Sequence, residues 1–332
     1  MLVVCADIHL QEDTPEDLHY GQQLLKDGAM LCRRHSVKHL VVAGDFFHYK
    51  LKISPRLLYT TLQTLKEVRK SGVDVVVIPG NHDRPDSNDV GWTPLSLFSD
   101  DCTLINETRV VESKDAIIAF VPWYPPGQYR KEINRAAQAV MGSRLPRILI
   151  SHVSIQEGKV SPSNMRLTVP IRYADLMPGV WTGGIYLGDY HAHQLLPGGN
   201  GMYCGAPRHQ TFGDFDCLGM WLVGARFADR KLLHLPTRYP QFNTWRVDGP
   251  DDLPLQGYDS RDKNRIMVSD EMIQHVAYHY PGARLIRADR ESLEVVAPRI
   301  LGGMEPVAVM LRWREEKGFP AEPYTQEIEA LF

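Results

Sequence analysis

Five short polar clusters carry the residue types that could do chemistry in this sequence: Asp7-Ile8-His9, Gly44-Asp45, Gly80-Asn81-His82-Asp83, Ser151-His152 and Gly188-Asp189-Tyr190-His191. Carboxylates, imidazoles and one amide without thiolates form a mixed O/N donor set, which suits Mn²⁺, Fe²⁺ or Zn²⁺ better than a structural zinc site. Two such ions about 3.5–4 Å apart can clamp a phosphate and activate water. A ligand shared between them must be a carboxylate, since its two oxygens can reach both ions; Asp45 is the candidate. Taken singly, each cluster has a plainer reading. An isolated Asp-x-His is most often a surface turn, and a single His such as His152 is more often structural than catalytic.

The elements that precede these clusters change that weighing. "MLVVCAD", "KHLVVAGD", "GVDVVVIPG", "RILISH" and "GGIYLGDYHAH" are apolar, β-branched runs, and each delivers one cluster at its carboxyl end. Between them lie helical patterns over 16–35, 54–71 (opened by Ser54-Pro55) and 128–141. Strand–helix–strand order with apolar strands predicts an α/β fold whose sheet is covered by helices on at least one face. Loops at the carboxyl ends of such strands gather on one side. Five clusters in that position are therefore expected to converge. After residue 191 the style changes: "LPGGNGMYCGA", "GMWLVGARFADRKLLHLPT" and "FNTWRVD" read as hairpins, with turns at 198–201 and 228–231. Residues 248–257 read as a linker, and "NRIMVS", a helix near 269–279 and "ARLIRAD" as a small α+β unit.

Length and composition set the class. The 332 residues, 43% hydrophobic and 23% charged, are those of a globular protein able to bury one large domain and a smaller one. No apolar run approaches the roughly 18 residues that span a bilayer, and the start has no basic segment of a signal peptide, so a cytoplasmic chain without a membrane partner is expected. The five cysteines show no CxxC pair, which argues against a zinc knuckle or a disulfide framework. Net charge of −3 does not mark a nucleic-acid binder, yet residues 130–172 hold eight basic residues against two acids, an excess suited to a polyanion. No G-x-x-x-x-G-K-[ST] loop occurs, so any ATP use would come from a partner.

The five clusters resemble, in order, the D-x-H, G-D, G-N-H-D, H and G-H-x-H motifs of the calcineurin-like metallophosphoesterases, over about residues 1–245. Within that superfamily "GDFFHYKLKISPR" and "YCGAPRHQTFGD" look like segments of the nuclease subunit of SbcCD-type and phage recombination complexes. The resemblance implies a metallophosphoesterase four-layer α/β sandwich over 1–247 and a small C-terminal α+β capping domain over 258–332. It also implies two divalent ions, Mn²⁺ foremost with Mg²⁺, Fe²⁺ or Zn²⁺ as alternatives. By motif, one ion would be held by Asp7, His9, Asp45 and His191, the other by Asp45, Asn81, His152 and Asp189. His82 would be the general acid or transition-state stabiliser, Asp83 would orient it, and His48 would contact the scissile phosphate. Here Asp189 stands where the family has a His. A second register, with His191 and His193 as ligands and Asp189 behind them, stays open, although the aligned Gly188 favours the first.

The expected activity is two-metal hydrolysis of DNA phosphodiesters by an SbcD-like nuclease. Lys50, Lys52, Arg56, Arg166, Arg172 and Arg208 are the candidate phosphate contacts. A coiled-coil ATPase of the SbcC-like kind is the expected partner, and a homodimer is compatible with the sequence. The stretch 304–318 has an apolar stripe that either docks a partner helix or packs on its own domain. Two rivals remain: a phosphatase or small-molecule phosphodiesterase on the same scaffold, and a DNA-binding subunit with a degenerate site.

Overall fold

The computed structural model describes residues 1–86, 89–159, 169–214 and 219–287. In chain order the first part runs β1 (Leu2–Cys5), α1 (Pro15–Arg34), β2 (His39–Ala43), α2 (Pro55–Lys70), β3 (Asp74–Ile78), β4 (Thr103–Leu104), β5 (Arg109–Glu112) and β6 (Ile117–Val121). There follow α3 (Pro126–Val140), β7 (Arg147–His152), β8 (Gly184–Gly188), β9 (Gln194–Leu195), β10 (Gly201–Tyr203), β11 (Gly219–Val223) and β12 (Lys231–His234). The remainder holds β13 (Phe242–Val247), β14 (Lys263–Val268), α4 (Ile273–His279) and β15 (Arg284–Arg287).

Two six-stranded sheets make the first part, in the orders β12-β11-β1-β2-β3-β4 and β5-β6-β7-β8-β10-β9. Strands β1, β2 and β3 are mutually parallel, with Val3 beside Leu40 and Leu40 beside Val75. Alternation along each strand divides its side chains between two cores. Val3, Val42, Val75 and Val77 pack with Leu24, Leu25 and Leu65 of α1 and α2. Val4, Val41, Val76 and Ile78 face the other way, onto Ile118, Phe120, Ile148 and Ile150 of the second sheet. On the far side of that sheet, Leu149, Ile185 and Leu187 pack with Tyr129, Ile133 and Ala137 of α3. The layers are therefore helix, sheet, sheet, helix: a mixed α/β sandwich of the metallophosphoesterase type. Because β1, β2, β3, β6, β7 and β8 are buried on both faces, their sequences are near-continuous apolar runs.

The helices begin where their capping residues dictate. Thr14 accepts from the backbone N–H of Asp17 and Ser54 from that of Leu57, each followed by a proline at the first helical position. Glu16 and Asp17 at the start of α1, and Arg33 and Arg34 at its end, complement the helix dipole.

The described residues divide into two compact units, one within 1–243 with 261–263, the other of 244–260 and 264–287. In the second unit β14 and β15 pair in parallel over a small core of Val247, Leu255, Ile266, Val268 and Val276. Two expectations change here. "FNTWRVD" is no hairpin: as β13 it joins β14 and β15 in a three-stranded sheet. The 248–257 stretch is no bare linker, since Leu255 belongs to that small core. The stripe at 304–318 lies outside the described residues. Among the described residues no helix is long and apolar enough to cross a membrane.

Candidate metal centre

The carboxyl ends of β1, β2 and β3 open onto one edge of the first sheet, and those of β7 and β8 meet them from the second. Beyond the strands the first two loops run side by side: Asp7 N–H donates to Gly44 O, His9 N–H to Asp45 O and Leu10 N–H to Phe46 O, at 2.8–3.0 Å. Asp7, His9, Asp45 and Asp189 all have positive φ, between 43° and 106°. Left-handed backbone at four such residues is strain that the surrounding structure must hold in place. It aims their side chains inward, and Asp7, His9, Asp45, His152 and His191 are all buried.

Asp45 is the centre of the arrangement. Its Oδ2 lies 3.6 Å from His9 Nε2, while its Oδ1 lies 3.4 Å from His152 Nε2. On the first side, His9 Nε2 and His191 Nε2 are 3.1 Å apart, and Asp7, His9 and His191 offer ligand atoms all within 4.8 Å of one another. On the second side, His152 Nε2 lies 3.0 Å from Asn81 Oδ1 and 3.6 Å from Asp189 Oδ1. Asp7, Asp45 and His152 form a further group within 4.8 Å, as do His9, Asp45 and His82.

Outer contacts fix which nitrogen points inward. His152 Nδ1–H donates to Ala43 O at 2.9 Å, and His191 Nδ1–H to Asp214 Oδ1 at 3.0 Å. Each therefore turns a bare Nε2 to the centre. On the second side, the lone pairs of His152 Nε2, Asn81 Oδ1, Asp45 Oδ1 and Asp189 Oδ1 then converge on one another. Either an additional proton or a cation must sit there. Ligand bonds of about 2.1 Å at roughly a right angle would hold two imidazole nitrogens about 3 Å apart, as His9 and His191 are. The donor set thus fits divalent cations on both sides of Asp45.

The electrostatics agree. Burial pushes Asp7 up to about 7, with Asp45 and Asp189 adding to the rise and His152 and His191 opposing it. Burial works against a charged His152, yet Asp45, Asp189 and Asp7 together raise it to about 10. Asp189 is also penalised by burial, but the His152 contact and the Ser154 hydroxyl, 2.5 Å away, hold it below the ordinary carboxylate range. This is a buried cluster of anions gathering whatever positive charge it can.

Glycine clears the space. A Cβ at Gly80 would lie 2.2 Å from Asp45 Oδ1, and one at Gly188 would lie 2.2 Å from Ala43 O and 2.7 Å from His152 Nδ1. Only a residue without a side chain lets these loops close on one another.

His82 stands half-buried beside the centre, its ring 5.0 Å from that of His9. Its Nδ1 is 2.5 Å from the carbonyl of His48, and its backbone N–H donates to Asp45 Oδ1. Asp83 does not touch that ring, contrary to the sequence expectation. Its oxygens accept backbone N–H bonds from Phe46, Phe47 and Gly80, tying the third loop to the second. Burial, then Asp45, pushes Asp83 up to about 6 against those three bonds. The wholly buried Arg84 follows, donating to Asn106 and the Trp92 carbonyl and so bracing the chain beyond His82. His48 is close, its ring 5.3 Å from that of His9.

The other candidates divide. His193 is turned away, stacked on Trp221 and hydrogen-bonded to Tyr203 O, while Asp189 faces His152. Lys52, Arg56 and Arg172 are exposed and Lys50 half-buried; Arg166 lies outside the described residues. Arg208 departs from the expected surface contact: it is 4% exposed, with Nε and Nη2 making no hydrogen bond. Sequence reasoning missed Asp214, Gln210 and Ser154. Asp214 follows a glycine, as Asp45 and Asp189 do, but among the described residues no strand runs directly into it.

In fold, the chain is similar to a dimetal phosphatase from Danio rerio, at 12% identity over 60% of this chain and 85% of that one, with a TM-score of 0.41. It is similar also to the nuclease MPE of Pseudomonas putida, at 19% identity over 59% of this chain and 64% of that one, with a TM-score of 0.31. At such scores neither likeness bears on what this chain does. The family described as calcineurin-like phosphoesterase matches residues 1–152, the span that carries Asp7, His9, Asp45, Asn81, His82 and His152. Over that span the chain is similar to the calcineurin-like phosphoesterases, and the matched residues Asp7, His9, Asp45 and His152 are among those clustered as ligands here.

Proposed function

We propose that this chain is a metal-dependent nuclease of the SbcD-like type, hydrolysing DNA phosphodiesters with two divalent ions, Mn²⁺ foremost. The observation that carries hydrolysis is Asp45, whose two oxygens face two separate sets of ligand atoms. Ions held there supply Lewis-acid stabilisation of a phosphoryl group and a more acidic water. The protein's own part is to hold them and to move a proton. Asp7, His9, Asp45 and His191 would bind one ion, and Asp45, Asn81, His152 and Asp189 the other. The His48 carbonyl accepts a hydrogen bond from Nδ1–H of His82 and so orients the ring. With a second proton on Nε2, the imidazolium form of His82 would pass that proton to the departing sugar oxygen and be left as the neutral Nδ1–H ring.

DNA as the substrate class is supported by the cations that follow His48. Lys52 and Arg56 stand exposed where α2 begins, Lys50 just before them is half-buried, and Lys52 lies over the Tyr49 ring. Such contacts would hold the duplex backbone without reading its sequence. Action in recombination or repair with an SbcC-like ATPase belongs to the same reading. The test is a Mn²⁺-dependent digestion series on blunt, nicked, single-stranded and circular DNA beside small phosphomonoesters. Cleavage of DNA is expected. Turnover of monoesters alone would make the chain a phosphatase, and no turnover with no bound metal would make it a binding subunit.

A further inference from the structure

The segment from Arg208 to Asp214 sits directly behind the first metal half-site, and its contacts are unusually economical. Asp214 Oδ1 accepts the Nδ1 proton of His191 at 3.0 Å, while Oδ2 accepts the backbone N–H groups of Gln210 and Thr211 at 2.7 and 2.8 Å. Gln210 in turn donates its side-chain amide to the backbone carbonyls of Asp7 and Ile8, at 3.4 and 3.1 Å. One turn thus grips the His191 imidazole with a carboxylate and the Asp7 loop with an amide.

We propose that Asp214 is a positioning residue for the first ion: it fixes His191 in the Nδ1–H tautomer, so that Nε2 keeps its lone pair for the cation, and the Gln210 latch sets that imidazole against Asp7. The inference rests on the metal centre proposed above. An imidazole ligates through the nitrogen that lacks a proton, and the group hydrogen-bonded to the other nitrogen decides which that is.

The Asp214→Asn variant separates this role from that of closing the turn. Its carbonyl oxygen can still accept from Gln210 and Thr211, while its amide N–H presents a donor to His191 Nδ1. That nitrogen must then accept, the proton moves to Nε2, and the lone pair facing the ion is lost. Two readouts on the full chain test it: long-range ¹H–¹⁵N spectra of metal-free protein, with His191 assigned by its loss in His191→Gln, and Mn²⁺ titration by calorimetry. The wild type should show His191 as Nδ1–H. D214N should show Nε2–H and bind one of two Mn²⁺ ions about 10–100-fold more weakly, with the second unaffected. Wild-type affinity in D214N, or an Nε2–H tautomer in the wild type, would overturn the inference; the latter holds even if D214N does not fold. A wild type that binds no Mn²⁺ would instead remove the metal centre itself.

Discussion

Gly44→Ala tests how tightly the loops are closed on the ligands. Gly44 has φ +91°, and a Cβ there would lie 2.0 Å from His152 Nδ1 and 2.4 Å from its Cγ. Ordinary contact begins at 3.4 Å, so the buried ring must retreat, and the Nδ1–H bond to Ala43 O goes with it. Three costs combine: left-handed backbone at about 1–2 kcal/mol, overpacking at about 1–3, and a buried donor left unpaired at about 1–3. The total is roughly 3–8 kcal/mol, a large share of a domain's stability. Gly72 supplies the control, with φ +84° and nothing within 4 Å of its Cβ position. Gly72→Ala should therefore cost only the backbone part, about 1–2 kcal/mol. Urea unfolding of the metal-free variants measures the difference, and Mn²⁺ titration should show G44A weaker by at least about tenfold. If G44A matched G72A in stability and kept wild-type metal affinity, His152 would not be packed against that turn, and the second half-site as drawn would be wrong.

Three other outcomes follow from the same contacts. His82→Ala should lower hydrolysis by about 10²–10⁴-fold while leaving both ions bound, because the ligand sets proposed here close without it; turnover and metal content measured together decide this. Metal binding should release protons. Asp7 at about 7 and His152 at about 10 both sit above their unfolded values, so each proton is retained as pH rises until that value is passed. Affinity should therefore climb with pH, more steeply below about 7, where both protons compete, than between about 7 and 10, where only that on His152 does. Calorimetry in buffers of different ionisation enthalpy reads the count, and a pH-independent affinity would contradict it. Burial pushes the Cys32 and Cys102 thiols up to about 12, so neither should react with a thiol reagent at pH 8 until the chain unfolds.

What the sequence made legible was the part written in local chemistry. Apolar strands buried on both faces, Ser54-Pro55 ahead of α2, and a polar cluster at each strand end are short-range signals, and the convergence of Asp7, Asp45, Asn81 and His152 follows from parallel topology. Two kinds of feature were not legible. Asp83 and Arg84 act through backbone groups of other loops, which no spacing shows. Asp214, Gln210 and the buried Arg208 belong to an irregular turn brought to the site by tertiary packing about 200 residues after Asp7. The strand β13 was misread for a related reason. Its alternation is clear, but the strand it pairs with, β14, lies beyond an intervening loop rather than across a tight turn.

The most direct test is the anomalous scattering of Mn²⁺ in crystals of the wild-type chain. Two peaks about 3.5–4 Å apart, one bonded to Oδ2 of Asp45 beside His9 and His191 and the other to Oδ1 beside His152 and Asn81, are expected. A single peak, or two that do not share Asp45, would contradict the account.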